Sequence, residues 1–154
     1  MYGVVQGRLS KSPDNQLQWF PQDCWQDEFC KCETLGLNFV ELLDERSYNS
    51  NNPIWSSSGR DEIKKVVSET NRIIYSSCTD NIIDNSLSLE TTLDHVFNYL
   101  EVSKYLGCEI AIFPLMEESS ITPNNFDSYV STIRELCNST SFTICLESLL
   151  DRKS

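Results

Sequence analysis

Short runs of β-branched and aromatic residues alternate along the chain with longer stretches whose apolar residues recur at helical spacing. Strands are predicted at Tyr2–Gln6, Phe39–Leu43, Ile73–Cys78, Ile110–Pro114 and Phe142–Leu146. Helices are predicted between them, at about residues 22–35, 60–70, 89–106 and 126–138. In the first, Trp25, Phe29 and Cys32 share one face; in the second, Ile63, Val66 and Val67 do; in the third, Leu93, Val96, Phe97 and Leu100 form the stripe. Leu35-Gly36 and Leu106-Gly107 each precede a strand, and glycine there supplies the left-handed position that stops a helix. Strands that follow one another through helices are parallel with right-handed crossovers, so the order predicts one α/β domain over residues 1–154.

Two architectures share this order. A doubly wound, flavodoxin-like sheet is complete at five strands, whereas a (β/α)8 barrel needs about 250 residues. Length favours the first, but the turn after the first strand, beginning Gly7-Arg8-Leu9-Ser10-Lys11, is not a glycine-rich phosphate cradle. The first strand also lacks the paired acids of a receiver-type phosphorylation domain.

Charge narrows the partners. With 12 Lys and Arg against 23 Asp and Glu, the net charge is −11, and no basic strip is present to neutralise a phosphate backbone, so nucleic acid is not an expected partner. Every apolar run falls short of the roughly 18 residues a membrane helix requires, and no secretory leader is legible over residues 1–10. The expected location is the cytoplasm. The 7 cysteines are scattered singly, which fits reduced, mostly buried thiols. Cys30 and Cys32, two apart on a helix, point in different directions and suit neither a zinc knuckle nor a redox pair. Trp19, Phe20 and Trp25 are expected to pack against the first helix, and Asp44 and Glu45 to lie in a solvated acidic loop. His95, the only histidine, falls off the third helix's apolar stripe and is expected to face solvent.

The run Tyr2-Gly3-Val4-Val5-Gln6-Gly7-Arg8-Leu9 and the later Gln18-Trp19-Phe20-Pro21 resemble the start of the sugar phosphate isomerase/epimerase family, which belongs to the xylose isomerase-like TIM barrels. The resemblance continues in order through Phe39-Val40-Glu41, Asn52-Pro53, Ser58-Gly59-Arg60, Ser77-Cys78-Thr79-Asp80, Phe113-Pro114-Leu115-Met116-Glu117 and Cys145-Leu146-Glu147-Ser148. It implies an incomplete (β/α)8 TIM barrel, the first five parallel strands with four intervening helices. It also implies a sugar or sugar-phosphate isomerase or epimerase using a divalent cation (Mn, Mg, Co or Zn) and carboxylate acid/base chemistry at the C-terminal ends of the strands.

By that resemblance Glu147 stands at the fifth-strand position, as metal ligand and as the base that moves a proton between carbons. Gln6, Arg8, Glu41, Cys78, Asp80 and Glu117, at or just beyond other strand ends, are the expected substrate contacts. The family's remaining metal ligands come from its sixth to eighth strands, which lie outside these 154 residues, and Ser148-Leu149 replaces its usual Thr-Asp pair. The chain is therefore expected to be inactive on its own. Val4, Val40, Ile74 and Ile112, or their neighbours, are expected to form an apolar inner face that self-associates or receives a missing C-terminal half. Two other readings follow from the same residues. One is a non-catalytic binding module; the other is a metal-dependent relative of the abasic-site endonucleases, which the acidic balance disfavours.

Overall fold

A computed structural model describes residues 1–13, 16, 18–140 and 142–148. Its strands are β1 (Gly3–Val5), β2 (Phe39–Asp44), β3 (Ser76–Thr79), β4 (Ile110–Pro114) and β5 (Thr143–Glu147). Its helices are α1 (Trp25–Thr34), α2 (Ser57–Thr70), a single turn α3 (Asn81–Asp84), α4 (Glu90–Leu106) and α5 (Phe126–Thr140). The strands form one parallel sheet in the order β1-β2-β3-β4-β5. A doubly wound sheet reverses its direction of growth at a switch point, and this one steps the same way at every crossover. The order is that of five consecutive strands of a TIM barrel.

Local signals explain the boundaries. Helix α2 begins three residues earlier than its apolar pattern predicts because Ser56 caps it, its hydroxyl accepting from the Gly59 amide at 3.0 Å. It ends on Asn71 in the left-handed region at φ 50°, as α4 ends on Gly107 at φ 94°. Strand β3 starts at Ser76 rather than Ile73, since Ile73 makes only an isolated bridge to Phe39. The turn α3 has too few residues to show any periodicity.

The core lies between sheet and helices. Val40, Leu42, Ala111 and Phe113 meet Phe29, Ile63, Val96 and Tyr99 there, all 2% exposed or less. The register places Glu41, Ser76, Ile110 and Thr143 in one row of the opposite, inner face, with Leu43, Cys78, Ile112 and Cys145 in the next. The apolar inner face expected from the alternation is therefore corrected. Val40 belongs to the helix side, and the inner face mixes Ile110 and Ile112 with a carboxylate, hydroxyls and thiols.

His95 is a second correction. The buried stripe of α4 is Thr92, Val96, Tyr99, Leu100, Ser103 and Leu106, which keeps Val96 and Leu100 of the expected face, while Phe97 is 43% exposed. Small polar residues rotate the helix away from the face its large apolar residues define, and this turns His95 inward. Its Nε2 lies 2.7 Å from Asp44 Oδ2, which also accepts from the Thr79 hydroxyl at 2.7 Å, and its ring packs on Trp55 at 5.0 Å. Asp44, expected in a solvated loop, is buried on the helix side of the sheet.

Candidate functional site

The C-terminal ends of the strands open into one cavity of about 1160 Å³. Its wall comes from the loops after β1 (Gln18, Trp19), β2 (Glu45, Arg46), β3 (Asp80) and β4 (Met116, Glu117), and from Glu147 at the tip of β5. Parallel strands deliver all these loops to one end, which is why residues up to 134 positions apart in sequence, Pro13 and Glu147, share a wall.

Of the residues expected at the site, Asp80, Glu117 and Glu147 line the cavity. Asp80 directly follows β3 and is fully buried; its Oδ1 accepts from the Cys78 thiol at 3.5 Å, and its Oδ2 has no hydrogen-bond partner among the described residues. Burial raises its pKa, while Cys78, Gln18 and Arg46 partly oppose the rise. Glu117 stands in the left-handed region at φ 49° and pairs with Arg46 at 2.6 Å. Glu147 is exposed, and its backbone carbonyl holds the Leu115 amide at 2.7 Å.

The other four serve the cavity from behind or beside it. Gln6 is 2% exposed, and its side-chain carbonyl accepts from the Leu43 amide at 3.2 Å, tying β1 to β2. Arg8 is exposed and donates to the Gln18 side chain at 2.8 Å, so it braces a wall residue. Glu41 sits mid-strand below the mouth, where its carboxylate accepts from the Ser76 hydroxyl. Burial raises its pKa, the Ser76 hydrogen bond opposes this, and the charges of Glu147 and Asp80 add to it. Cys78 is buried, and burial drives its thiol pKa far above the ordinary range, which makes it unreactive.

Arg46 was not legible as a site residue. It follows Asp44 and Glu45 in what reads as a charged loop, and nothing local marks the residue that turns into the mouth. Its Nη2 bridges Asp84 at 3.0 Å and Glu117 at 2.6 Å. Glu45 lines the cavity too, with its pKa raised by burial against hydrogen bonds from Asn49 and Asn52.

A catalytic cation needs about three protein ligands. Among the described residues no three His, Cys, Asp or Glu side chains are arranged to hold one. His95 is committed to Asp44 across the sheet from the cavity. The described residues do not by themselves fit a metal site.

No family model and no curated protein matches the chain in sequence. Solved structures do match in fold. A xylose isomerase-like TIM barrel protein from Mycobacterium smegmatis, in complex with magnesium, superposes with a TM-score of 0.64 at 15% identity, over 97% of this chain and 55% of that one. The 3-keto-D-glucoside 4-epimerase of E. coli gives 0.59 at 14% identity, over 95% and 55%. A xylose isomerase domain protein from Alicyclobacillus acidocaldarius gives 0.57 at 10%, over 94% and 49%. The chain spans about half the length of these structures. It has the fold of a partial TIM barrel, five parallel strands alternating with helices in one sheet. Among the described residues no helix is long and apolar enough to cross a membrane.

Proposed function

We propose, from that fold and that cavity, that residues 1–154 are a single domain contributing the N-terminal part of the site of a sugar or sugar-phosphate isomerase or epimerase. The observation that carries the reading is the pair Asp80 and Glu147, two carboxyl groups from different strands on one cavity at the C-terminal end of a parallel sheet. Moving a proton between neighbouring sugar carbons requires a base on the carbon that loses it and an acid that returns it. Glu147, exposed at the tip of β5, takes the proton from one carbon and returns it to the neighbouring one. Asp80, whose pKa burial raises, hydrogen-bonds the adjacent oxygens, giving a proton to the carbonyl oxygen as it becomes a hydroxyl and taking one back from the hydroxyl that becomes the new carbonyl. Glu41, half-buried below them, is a third carboxyl whose pKa burial raises, against the hydrogen bond it accepts from Ser76. The similar structures, one in complex with magnesium and one a 3-keto-D-glucoside 4-epimerase, support a divalent cation and a sugar substrate in the complete barrel.

The test is a panel of pentoses, hexoses, their keto forms and phosphate esters in deuterated water, followed by proton NMR. Shift changes around Asp80 and Glu147 are expected on sugar binding, with weak or no turnover by the isolated chain. In a protein carrying all eight strands, deuterium should enter at the carbon beside the carbonyl, and Glu147→Gln should slow this by about 100-fold or more. Binding without exchange in that protein makes the chain part of a binding module. Absence of any sugar binding overturns the reading.

A further inference from the structure

The wall of the cavity carries more acidic than basic side chains. Its acidic side chains are Glu45, Asp80, Glu117 and Glu147, and Arg46 is the one basic side chain among the described wall residues. Arg46 is also occupied. One nitrogen of its guanidinium bridges Asp84 and Glu117, so the group that would receive a phosphate already holds two carboxylates. Glu45 and Asp80 are pushed toward their neutral forms by burial. Even with both protonated, Glu117 and Glu147 outweigh Arg46, and a low-dielectric wall focuses that surplus on the space between.

An independent observation indicates what the cavity accepts. Asp80 is wholly buried yet lines it beside Gln18, and among the described residues its Oδ2 makes no hydrogen bond within ordinary distance, although a buried polar atom left unpaired is costly. A hydroxyl satisfies that oxygen in either protonation state, donating to the carboxylate or accepting from the acid. A phosphate dianion has no proton to donate and adds charge of the wrong sign.

We infer that this mouth takes a polyhydroxylated ligand without phosphate, with one ligand hydroxyl on Asp80 Oδ2, and turns phosphate esters away. The inference rests on the sugar reading and narrows it to the unphosphorylated class.

The experiment titrates the full chain with matched pairs, each a pentose or hexose and its terminal phosphate ester, with inorganic phosphate alongside, at low and physiological salt. In every pair that binds, the free sugar is expected to bind about tenfold tighter or more, with the gap narrowing as salt rises. Asp84→Asn combined with Glu117→Gln releases Arg46 and should raise the ester's affinity relative to its sugar by about fivefold or more. Asp84→Asn alone is the milder form should the double variant fail to fold. Asp80→Asn is expected to weaken the free sugar by about tenfold, since it loses the carboxyl's freedom to donate or accept. An ester that binds the unsubstituted chain more tightly than its sugar overturns the inference and leaves the sugar reading standing. An unchanged ester affinity in the released-Arg46 variants overturns it as well, because withholding Arg46 is part of the selection. Failure of every sugar and every ester to bind removes the sugar reading itself.

Discussion

Glu41 holds its carboxyl on the inner face of the sheet, where burial raises its pKa above the ordinary glutamate value of 4.5. The folded chain therefore keeps a proton that the unfolded chain gives up. The stability this group contributes is complete below pH 4.5 and is lost as pH rises through its higher folded value. The chain's melting temperature is accordingly expected to fall from mildly acid toward neutral pH, and Glu41→Gln, which keeps the acceptor for Ser76, should flatten the fall. Equal slopes in chain and variant would assign the dependence to Glu45 and Asp80, which burial shifts the same way. Legibility at this scale follows position. Asp80, Glu117 and Glu147 could be found because strand ends are legible in sequence and barrels place chemistry there. Arg46 could not, because the direction a loop residue takes depends on Asp84 and Glu117, which the chain supplies 38 and 71 positions later. His95 could not, because helical phase fixes the face it occupies and not the Asp44 that the sheet presents to that face.

The loop after β1 shows how one helix shapes an element that has no regular structure of its own. Glu28 of α1 is 1% exposed, and its two carboxylate oxygens accept from the Gly7 amide at 2.7 Å and the Leu9 amide at 3.0 Å. Trp19 donates from its indole nitrogen to the Gly7 carbonyl at 2.9 Å, and Lys31 reaches the Leu9 carbonyl at 2.9 Å. Gly7 itself stands at φ +90°, and a Cβ there would strike the Trp19 carbonyl, so no other residue fits. Gln6 and Arg8, on either side of it, are held by this clamp. Glu28→Ala leaves two amides without their charged acceptor and is expected to destabilise the chain by about 3 kcal/mol or more, each such bond contributing about 1.5–3 kcal/mol. Urea unfolding measures the loss, and faster hydrogen exchange at the Gly7 and Leu9 amides locates it; unchanged exchange at those amides would show that other contacts hold the loop. Elements with a repeating pattern were legible to within a few residues: α4 ends at Leu106 and β4 spans Ile110–Pro114 as the pattern predicts. This clamp was not, because a single glutamate on a helix gives no periodic signal of its buried partners.

At the scale of the whole molecule, the parallel direction of the strands sends every loop that carries a wall residue to the same end, and with them Glu45, Asp80, Glu117 and Glu147. The net charge of −11 and the surplus of carboxylates at the mouth repel one another. Among the described residues three ion pairs of Arg and Lys oppose them, Arg46 with Asp84, Arg46 with Glu117, and Lys65 with Glu69 at 3.9 Å. All are between side chains at least 42% exposed, where a pair contributes at most about 1 kcal/mol. Long-range repulsion outweighs contacts that weak. Raising salt from about 0.01 to 0.15 M shortens the screening length from about 30 to 8 Å, which removes repulsion across the molecule before it weakens pairs in contact. The melting temperature is therefore expected to rise with salt. Arg46→Ala removes the cation between the mouth carboxylates, so it should lower the melting temperature most at low salt and steepen the rise. A melting temperature that falls with salt would mean that the three pairs, and not the spread negative charge, dominate the electrostatics of the fold. It would also take away the field on which exclusion of phosphate from the cavity depends.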